Sequence, residues 1–539
     1  GFLFGYDIGA TSYVVSYLAT LSSSSSLSSS LSLMDAPFKT GWIVSSPSFG
    51  ALLGTIILMN GGGIITKFKF KFKPIGRRTE LRYAGIFYFL GGLLEFLSSS
   101  SSSLDVFCNL PIIILSLGRW IYGIGIGFAM HGGPTYLAEI APSTIRGQLV
   151  GGKEIAIVIG ILIGYSIGID SSFSSPSSSS WAYVYAATLF GSVLMIGLSY
   201  IIPESPRWLA KYDILMKIRK ETIKAAQKQN NKNSNSNSNI NSTNIISVNN
   251  NNNNNSRESS QSQSLLNKKY RSSLMAGLGL VILQQITGQP SVLSYAAPIL
   301  SKVPGLSSSS SIVLALFKVF ATSISVLLVE TRGRKTLLLC GCFLMMMSLF
   351  ILTFAFQEQE EGTNNDDEDE TASQPQPQLD IRSYFVIIGM FAYIAGYQIG
   401  FGPITWLMIS EVYPQSIRTK AVALSVQLNF ALNAIVQFIV PILQQKIGLP
   451  NLFFIFSLLS GYSIYFIYYR IIETKGLTLE EIEYQFQFQF QSQNQQQQQT
   501  DSRNNHNKTN DNEQQQQQHR GWDNNYNNEE TIKLLHHVS

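Results

Sequence analysis

Long apolar runs separated by polar stretches set the pattern of this chain. They fall at 2–18, 41–65, 81–97, 106–130, 149–169, 181–202, 274–300, 312–329, 336–356, 384–409, 421–447 and 452–471, twelve in all. A helix crosses the hydrocarbon core of a bilayer with about 20 apolar residues, and these runs have that length. Several are rich in Gly or Pro, which transmembrane helices tolerate because neighbouring helices re-satisfy the freed backbone groups. The pattern predicts an all-α membrane protein of twelve transmembrane helices.

The polar stretches are of two kinds. Serine runs at 22–32, an Asn-rich tract at 229–255, an acidic run at 358–380 and a Gln/Asn-rich tail after 485 are low in complexity and solvated. The longest connection, 203–273, starts basic and amphipathic over 208–228 and splits the spans six and six. The expected organisation is a first six-helix half at 1–202, a linker at 203–273, a second half at 274–471 and a tail at 472–539. Two such halves joined by a polar linker are the plan of a major facilitator fold.

Charge fixes the sides. Of 38 Lys and Arg, only Lys39, Lys302, Arg382 and Lys446 fall in odd-numbered connections, and Arg119 and Lys318 lie inside spans. All the others sit in even connections or the tail, which the positive-inside rule assigns to the cytoplasm. A miscounted span would scramble that segregation. The serine runs and the acidic run all fall on the opposite side.

Composition then excludes other classes. The chain is 45% apolar and 13% charged, against about a quarter charged in soluble domains. Three cysteines (Cys108, Cys340, Cys342) make no disulfide framework, and the Cys340–Cys342 pair reads as small apolar residues in a helix rather than a metal site. No metal cluster, nucleotide-phosphate loop or nucleophilic triad is evident. The expectation is a carrier rather than an enzyme, with no cofactor, no metal and no nucleic-acid partner. The chain starts at Gly1 within a span, so further residues are expected before it.

Charged motifs repeat between the halves. Gly76, Arg77 and Arg78 stand between spans two and three; Glu330, Arg332, Gly333, Arg334 and Lys335 hold the matching place between spans eight and nine. After span four, Glu139 precedes Arg146 by seven residues, and after span ten Glu411 precedes Arg418 by seven. These charges are expected to pair at the cytoplasmic face and latch the halves.

Further motifs give the repeat a family. Residues 203–209 read Pro-Glu-Ser-Pro-Arg-Trp-Leu, with Glu204 and Arg207 at the end of the first half. Gly118-Arg119, Gln284-Gln285-Ile286-Thr287-Gly288, Gly402-Pro403-Ile404-Thr405-Trp406 and Glu473-Thr474-Lys475-Gly476 follow in order. The chain from 1 to about 483 resembles the sugar porter family of the major facilitator superfamily. Residues 5–12, 129–132 and 288–291 are most similar to its plant vacuolar glucose and xylose–proton-symporter-like branch.

A sugar needs amides for its hydroxyls and an aromatic for its apolar face. The resemblance implies that Gln284 and Gln285 contact the sugar, although adjacent helical positions point about 100° apart. It also implies Trp406 as the aromatic wall, Gln398 where relatives often carry Glu, and Asn433 as another hydroxyl ligand. Tyr165 joins the set where relatives usually have Gln. The chain departs further at Pro290 and Lys318, where Asn is usual, at Lys73, where Asp is usual, and after Trp181, where Ala182 replaces Arg. These departures loosen which sugar is implied.

An acid within span one is expensive unless protonated or paired. Asp7 is such an acid, and the resemblance implies Arg119 as its partner and proton coupling as its role. Pairing favours the ionised acid and separation the protonated one, so helix motion can load and release a proton. The expected function is secondary transport of a monosaccharide, either a hexose such as glucose or the pentose xylose, by alternating access with proton symport. Uniport, a polyol carrier and a transporter-like sugar sensor are the alternatives. The lipid bilayer, a sugar and protons are the expected partners, and one chain the working unit, in a plasma or endolysosomal/vacuolar membrane. In the tail, 530–535 resembles an acidic dileucine sorting signal.

Overall fold

The computed structural model describes residues 1–24, 36–60, 76–100, 110–140, 146–169, 180–206, 208–210, 213, 270–294, 310–363, 381–414, 416–478, 480–486 and 488. Among them there is no β-strand. The first half contributes α1 (Phe2–Ser24), α2 (Ala36–Asn60), α3 (Arg77–Ser100), α4 (Leu110–Ile140), α5 (Arg146–Ile169) and α6 (Ser180–Ile201). The second contributes α7 (Arg271–Ile286), α8 (Gln289–Ser294), α9 (Ser310–Arg332), α10 (Arg334–Thr363), α11 (Ile381–Ile399), α12 (Phe401–Val412) and α13 (Arg418–Arg470).

Each expected span therefore has a helix, but three breaks depart from one run per helix. Span seven divides into α7 and α8 at Thr287 and Gly288, whose φ of 91° suits only glycine. Span ten divides into α11 and α12 at Gly400. Spans eleven and twelve are joined in α13, whose 53 residues break at Gly448 (φ 79°, ψ 163°). An unbroken helix of that length would be about 80 Å long, far more than the roughly 30 Å core of a bilayer.

By length and apolarity alone, seven described segments qualify as spans: Pro37–Leu58, Ile113–Leu137, Val184–Ile201, Ile312–Val329, Arg334–Gln357, Ser383–Val412 and Lys420–Arg470. Helices α1, α3 and α5 fall outside this set and carry Asp7, Glu95 and Glu154. Their polarity points inward. Phe190 and Ile201 on α6, by contrast, are 77% and 79% exposed, and Phe320, Leu327, Tyr384, Phe385, Leu458 and Tyr465 are more than half exposed. Apolar side chains of that size, displayed all round a bundle, face lipid.

The halves are built alike. In the first, α3 packs on α4 and α6, α2 on α4, and α1 on α5; in the second, α10 packs on α11 and α13. They meet where α2 lies on α13 and α5 on α9. The α1–α5 crossing is a pair of interlocked small-residue stripes, Gly5 and Gly9 against Gly160 and Gly164. A Cβ at Gly5 would run into the Ile157 carbonyl oxygen, and one at Gly164 would lie 2.7 Å from the Tyr6 carbonyl oxygen. Without hydrophobic driving force in lipid, such backbone-to-backbone approach supplies the packing energy. It also fixes α1, and hence Asp7, against its neighbours.

Candidate functional site

A cavity of about 740 Å³, including its solvent-open part, lies between the halves. Phe4 and Ile8 of α1 and Glu154, Ile157 and Ile161 of α5 wall it from the first half. Gln284 and Gln285 come from the last turn of α7, Lys318 from α9, Gln398 from the end of α11, Trp406 from α12, and Asn429, Asn433 and Gln437 from α13. Gln284 and Gln285 stand in the last turn before the α7–α8 break, and Gln398 in the last turn before the α11–α12 break. Irregular backbone at this depth is tolerated where it lines a cavity.

Of the residues expected at a sugar, Gln284, Gln285, Gln398, Trp406 and Asn433 all line this cavity, as do the departures Pro290 and Lys318. Tyr165 is outside the cavity wall and buried in the first-half core, where its hydroxyl meets Ser12. The two glutamines differ. Gln284 donates to Tyr397 Oη at 3.1 Å and to the Phe401 carbonyl at 3.0 Å, and accepts from Asn429 at 3.3 Å. Its amide hydrogens are used. Gln285 only accepts, from Asn433 Nδ2 at 3.0 Å, and its own Nε2 makes no hydrogen bond to the described residues. Ser48 of α2 donates to Asn433 Oδ1 at 2.6 Å and to Gln437 at 3.3 Å, tying the halves together through the cavity wall. Gln398 makes no hydrogen bond to the described residues, and the absence of a Cβ at Gly402 leaves room for its amide oxygen.

Sequence reasoning missed Asn429, Gln437, Tyr397 and Glu154. A signal for two of them was present: Asn429, Asn433 and Gln437 recur every four residues, which places them on one helix face. The aromatic wall is also a crossing point. Lys153 Nζ of α5 lies 4.2 Å over the Trp406 ring and pairs with Glu154 at 3.1 Å.

Behind the α1 wall lies a buried ion pair. Asp7, between Phe4 and Ile8 in sequence, accepts from Arg119 Nη1 at 3.2 Å and from Nη2 at 3.4 Å. Arg119 also donates to the Tyr185 hydroxyl at 3.0 Å and to the Ile43 carbonyl at 2.7 Å. Both side chains are almost inaccessible, so the pair lies in a low dielectric where each charge depends on the other. A shift of α1 along the cavity wall moves Asp7 directly.

The end motifs form two similar knots, each within one half. Arg77 pairs with Glu139 at 3.3 Å and Glu80 at 3.0 Å, and Glu80 also meets His131 at 3.1 Å. Arg334 pairs with Glu411 at 3.3 Å. Glu204 accepts from the Arg78 and Ser205 backbone N–H groups at 3.1 and 3.2 Å. Glu473 accepts likewise from Arg334 and Lys335 at 2.9 and 3.0 Å. Both carboxylates satisfy N–H groups that open a helix, where the dipole favours negative charge. Arg78 donates to the Ser199 and Tyr200 carbonyls, and Arg418 to the Tyr413 carbonyl at 2.9 Å. Burial lowers the Arg418 pKa, opposed by the charges of Glu480 and Glu483. The ion pairs Arg77–Glu139 and Arg334–Glu411 each join two helices of one half. Arg207 and the side chains of Arg146 and Glu330 lie outside the described residues, as does 530–535.

Two helical halves, the second with broken helices, around an amide- and aromatic-lined cavity with a buried acid–base pair behind its wall define a multi-pass membrane carrier of major facilitator fold. The model of the Sugar (and other) transporter family matches residues 1–486. The chain belongs to that family. It is 35% identical over 507 residues to the D-xylose-proton symporter-like 3, chloroplastic, of Arabidopsis thaliana, covering 90% of this chain and 80% of that one. It is 27% identical over 518 residues to the D-xylose-proton symporter of Escherichia coli K12, covering 90% and 93%. Among solved structures it is similar to a double tryptophan mutant of XylE, with a TM-score of 0.64 at 26% identity, over 90% of this chain and 96% of that one. It is also similar to the proton:xylose symporter XylE bound to 6-bromo-6-deoxy-D-glucose, with a TM-score of 0.63 at 25% identity over the same shares.

Proposed function

We propose that this protein moves a pentose or hexose across its membrane together with a proton, by alternating exposure of the cavity between the halves. The observation that carries the coupling is the buried Asp7–Arg119 pair, held on the same helix as the cavity residues Phe4 and Ile8. Sugar settling against that wall moves α1, and separation from Arg119 lets Asp7 take a proton. Return of the pair expels it. Similarity to the D-xylose-proton symporter of Escherichia coli, by sequence and by structure, supports the reading.

Within the cavity, Gln285 Nε2, Gln398 and the Trp406 face are the open sugar contacts, while Gln284 holds the wall in shape. The Lys153–Trp406 contact between α5 and α12 closes one side of the cavity and parts when that side opens. The paired motifs at Arg77–Glu139 and Arg334–Glu411 keep each half rigid as it rocks. One chain holds the whole cavity, which supports action as a monomer. The linker at 203–273 and the tail at 472–539 face the cytoplasm, in a plasma or endolysosomal/vacuolar membrane.

The test is solute counterflow in reconstituted vesicles, with labelled D-xylose or D-glucose competed by pentoses, hexoses and polyols. Aldopentoses or aldohexoses should compete best; preferential competition by acyclic polyols would refute the substrate reading. In the same assay Gln285→Ala should raise the half-saturating concentration up to about tenfold, since one net hydrogen bond contributes about 0.5–1.5 kcal/mol. Gln284→Ala instead removes a donor from Tyr397 Oη and the Phe401 carbonyl and leaves the buried Asn429 amide without its acceptor, and should lower stability by about 1–3 kcal/mol. Equal effects of the two on affinity would contradict their separate roles.

A further inference from the structure

The mechanism above leaves one buried carboxyl unused. Glu95, near the end of α3 opposite to Arg77 and Arg78, is wholly inaccessible. Neither of its carboxyl oxygens has a hydrogen-bond partner among the described residues. An ionised carboxylate in that condition is among the costliest groups a protein interior can hold. It is also not alone. A Cβ at Gly118 would lie 3.0 Å from Glu95 Cγ, so the acid packs against α4 one residue from Arg119.

The charged and titratable groups around Glu95 are Arg119 and Tyr122 of α4, Tyr185 of α6 and Asp7 of α1. Arg119 is the only cation among them. Glu95 feels its charge but lies beyond hydrogen-bond range of it. A guanidinium has five N–H groups; Nε, both hydrogens of Nη1 and one of Nη2 are placed on Ile43, Asp7 and Tyr185. One Nη2 hydrogen is left over, and the Glu95 carboxyl, packed one residue from Arg119 on α4, has no donor among the described residues. Two carboxyls and one guanidinium buried together are neutral when they hold a single proton between them.

We propose that Glu95 is the second proton-carrying carboxyl of the coupling site, sharing one proton with Asp7 and taking Arg119 as counter-ion whenever Asp7 is the protonated partner. This rests on the symport reading above. The step balances: Glu95–COOH with Asp7–COO⁻ paired to Arg119 becomes Glu95–COO⁻ paired to Arg119 with Asp7–COOH. This transfer leaves the net charge of the bundle unchanged; the cluster carries one net negative charge only between release of the proton and uptake of the next. Asp7 then releases its proton on one side, the guanidinium returns to it, and Glu95 takes up the next proton from the other side. Without Glu95, protonation of Asp7 would strand a buried guanidinium, and that cost would oppose loading.

The test uses the full chain in vesicles, with labelled D-xylose, comparing accumulation under a gradient of one pH unit with exchange under no gradient. One-to-one symport sustains up to about tenfold accumulation under such a gradient, since each factor of ten corresponds to about 1.4 kcal/mol. Glu95→Gln should keep exchange within about twofold of the parent, by retaining the side chain's shape, and reduce accumulation to near onefold. Glu95→Asp keeps the carboxyl and should retain accumulation with a displaced pH profile. If Glu95→Gln accumulates xylose as the parent does, with the same pH profile, the proposal is wrong. Should Glu95→Gln lose exchange as well, the Asp variant decides: a displaced pH profile supports the proposal, and an unchanged one overturns it. A parent protein that shows no gradient-driven accumulation at all would refute the symport reading itself, which is a different result.

Discussion

Asp7→Asn is expected to leave sugar exchange intact and to remove accumulation driven by a pH gradient. The carboxyl is the only member of the Asp7–Arg119 pair that can lose its charge near neutral pH, because a guanidinium stays protonated. The amide has nearly the same shape and can still accept from Arg119, so the helix packing survives. It cannot carry a proton. Arg119→Ala should behave quite differently. It leaves Asp7 buried without its cation and the Ile43 carbonyl without its donor at 2.7 Å, a loss of about 3–5 kcal/mol typical of breaking a buried pair. Removing both charges in Asp7→Asn with Arg119→Met should recover much of that stability, because no uncompensated charge remains. Thermal unfolding in detergent measures the stability order, and vesicle uptake with and without a gradient measures the coupling. Retained coupling in Asp7→Asn would sink the role given to this pair.

Gly5→Ala should be nearly as damaging although it adds one methyl group. That methyl would meet the Ile157 carbonyl oxygen, a backbone atom that cannot swing aside. The α1–α5 crossing would have to widen, with an overpacking cost of about 1–3 kcal/mol or more. Gly152→Ala, in the same helix as Ile157, is the control, because a Cβ there meets nothing within 4 Å. Widening the crossing also moves Asp7, two residues along α1, so Gly5→Ala should impair coupling beyond its effect on stability. A thermal midpoint for Gly5→Ala equal to that of Gly152→Ala would mean that the helices do not approach as described.

Much of this was legible in the chain, for identifiable reasons. The bilayer penalises charge within a span, so the apolar runs located the helices. The same penalty made Asp7 and Arg119 conspicuous inside apolar runs. Gln284, Gln285, Gln398, Trp406 and Asn433 were found through motif resemblance, and all five line the cavity. What sequence could not rank was their hydrogen bonding. Nothing in a Gln-Gln pair tells which amide is used by Tyr397 and Phe401 and which remains open. That depends on where α7 ends and which way Gly288 turns the chain.

The end motifs show a second limit. Spacing along the chain sets Glu139 seven residues before Arg146 and Glu411 seven before Arg418, but it does not show that Glu139 meets Arg77 and Glu411 meets Arg334, contacts that only the packing of two helix ends brings about. Glu95 illustrates a third. It reads as one acid near the end of an apolar run, and only the position of α4 beside it reveals Arg119 one residue from its contact. Tyr165 was expected at the sugar because relatives carry Gln at its position, and its side chain is buried in the core beside the cavity.

The central claim is that sugar and proton move together, and proton movement itself tests it most directly. Purified protein in vesicles without any imposed gradient, in weakly buffered medium, should take up protons when D-xylose is added outside. The external pH should rise with the sugar, and a protonophore should abolish the rise. Asp7→Asn vesicles should show sugar entry without it. If D-xylose enters parent vesicles while external pH stays constant, the protein is not a symporter, and the Asp7–Arg119 pair serves structure alone.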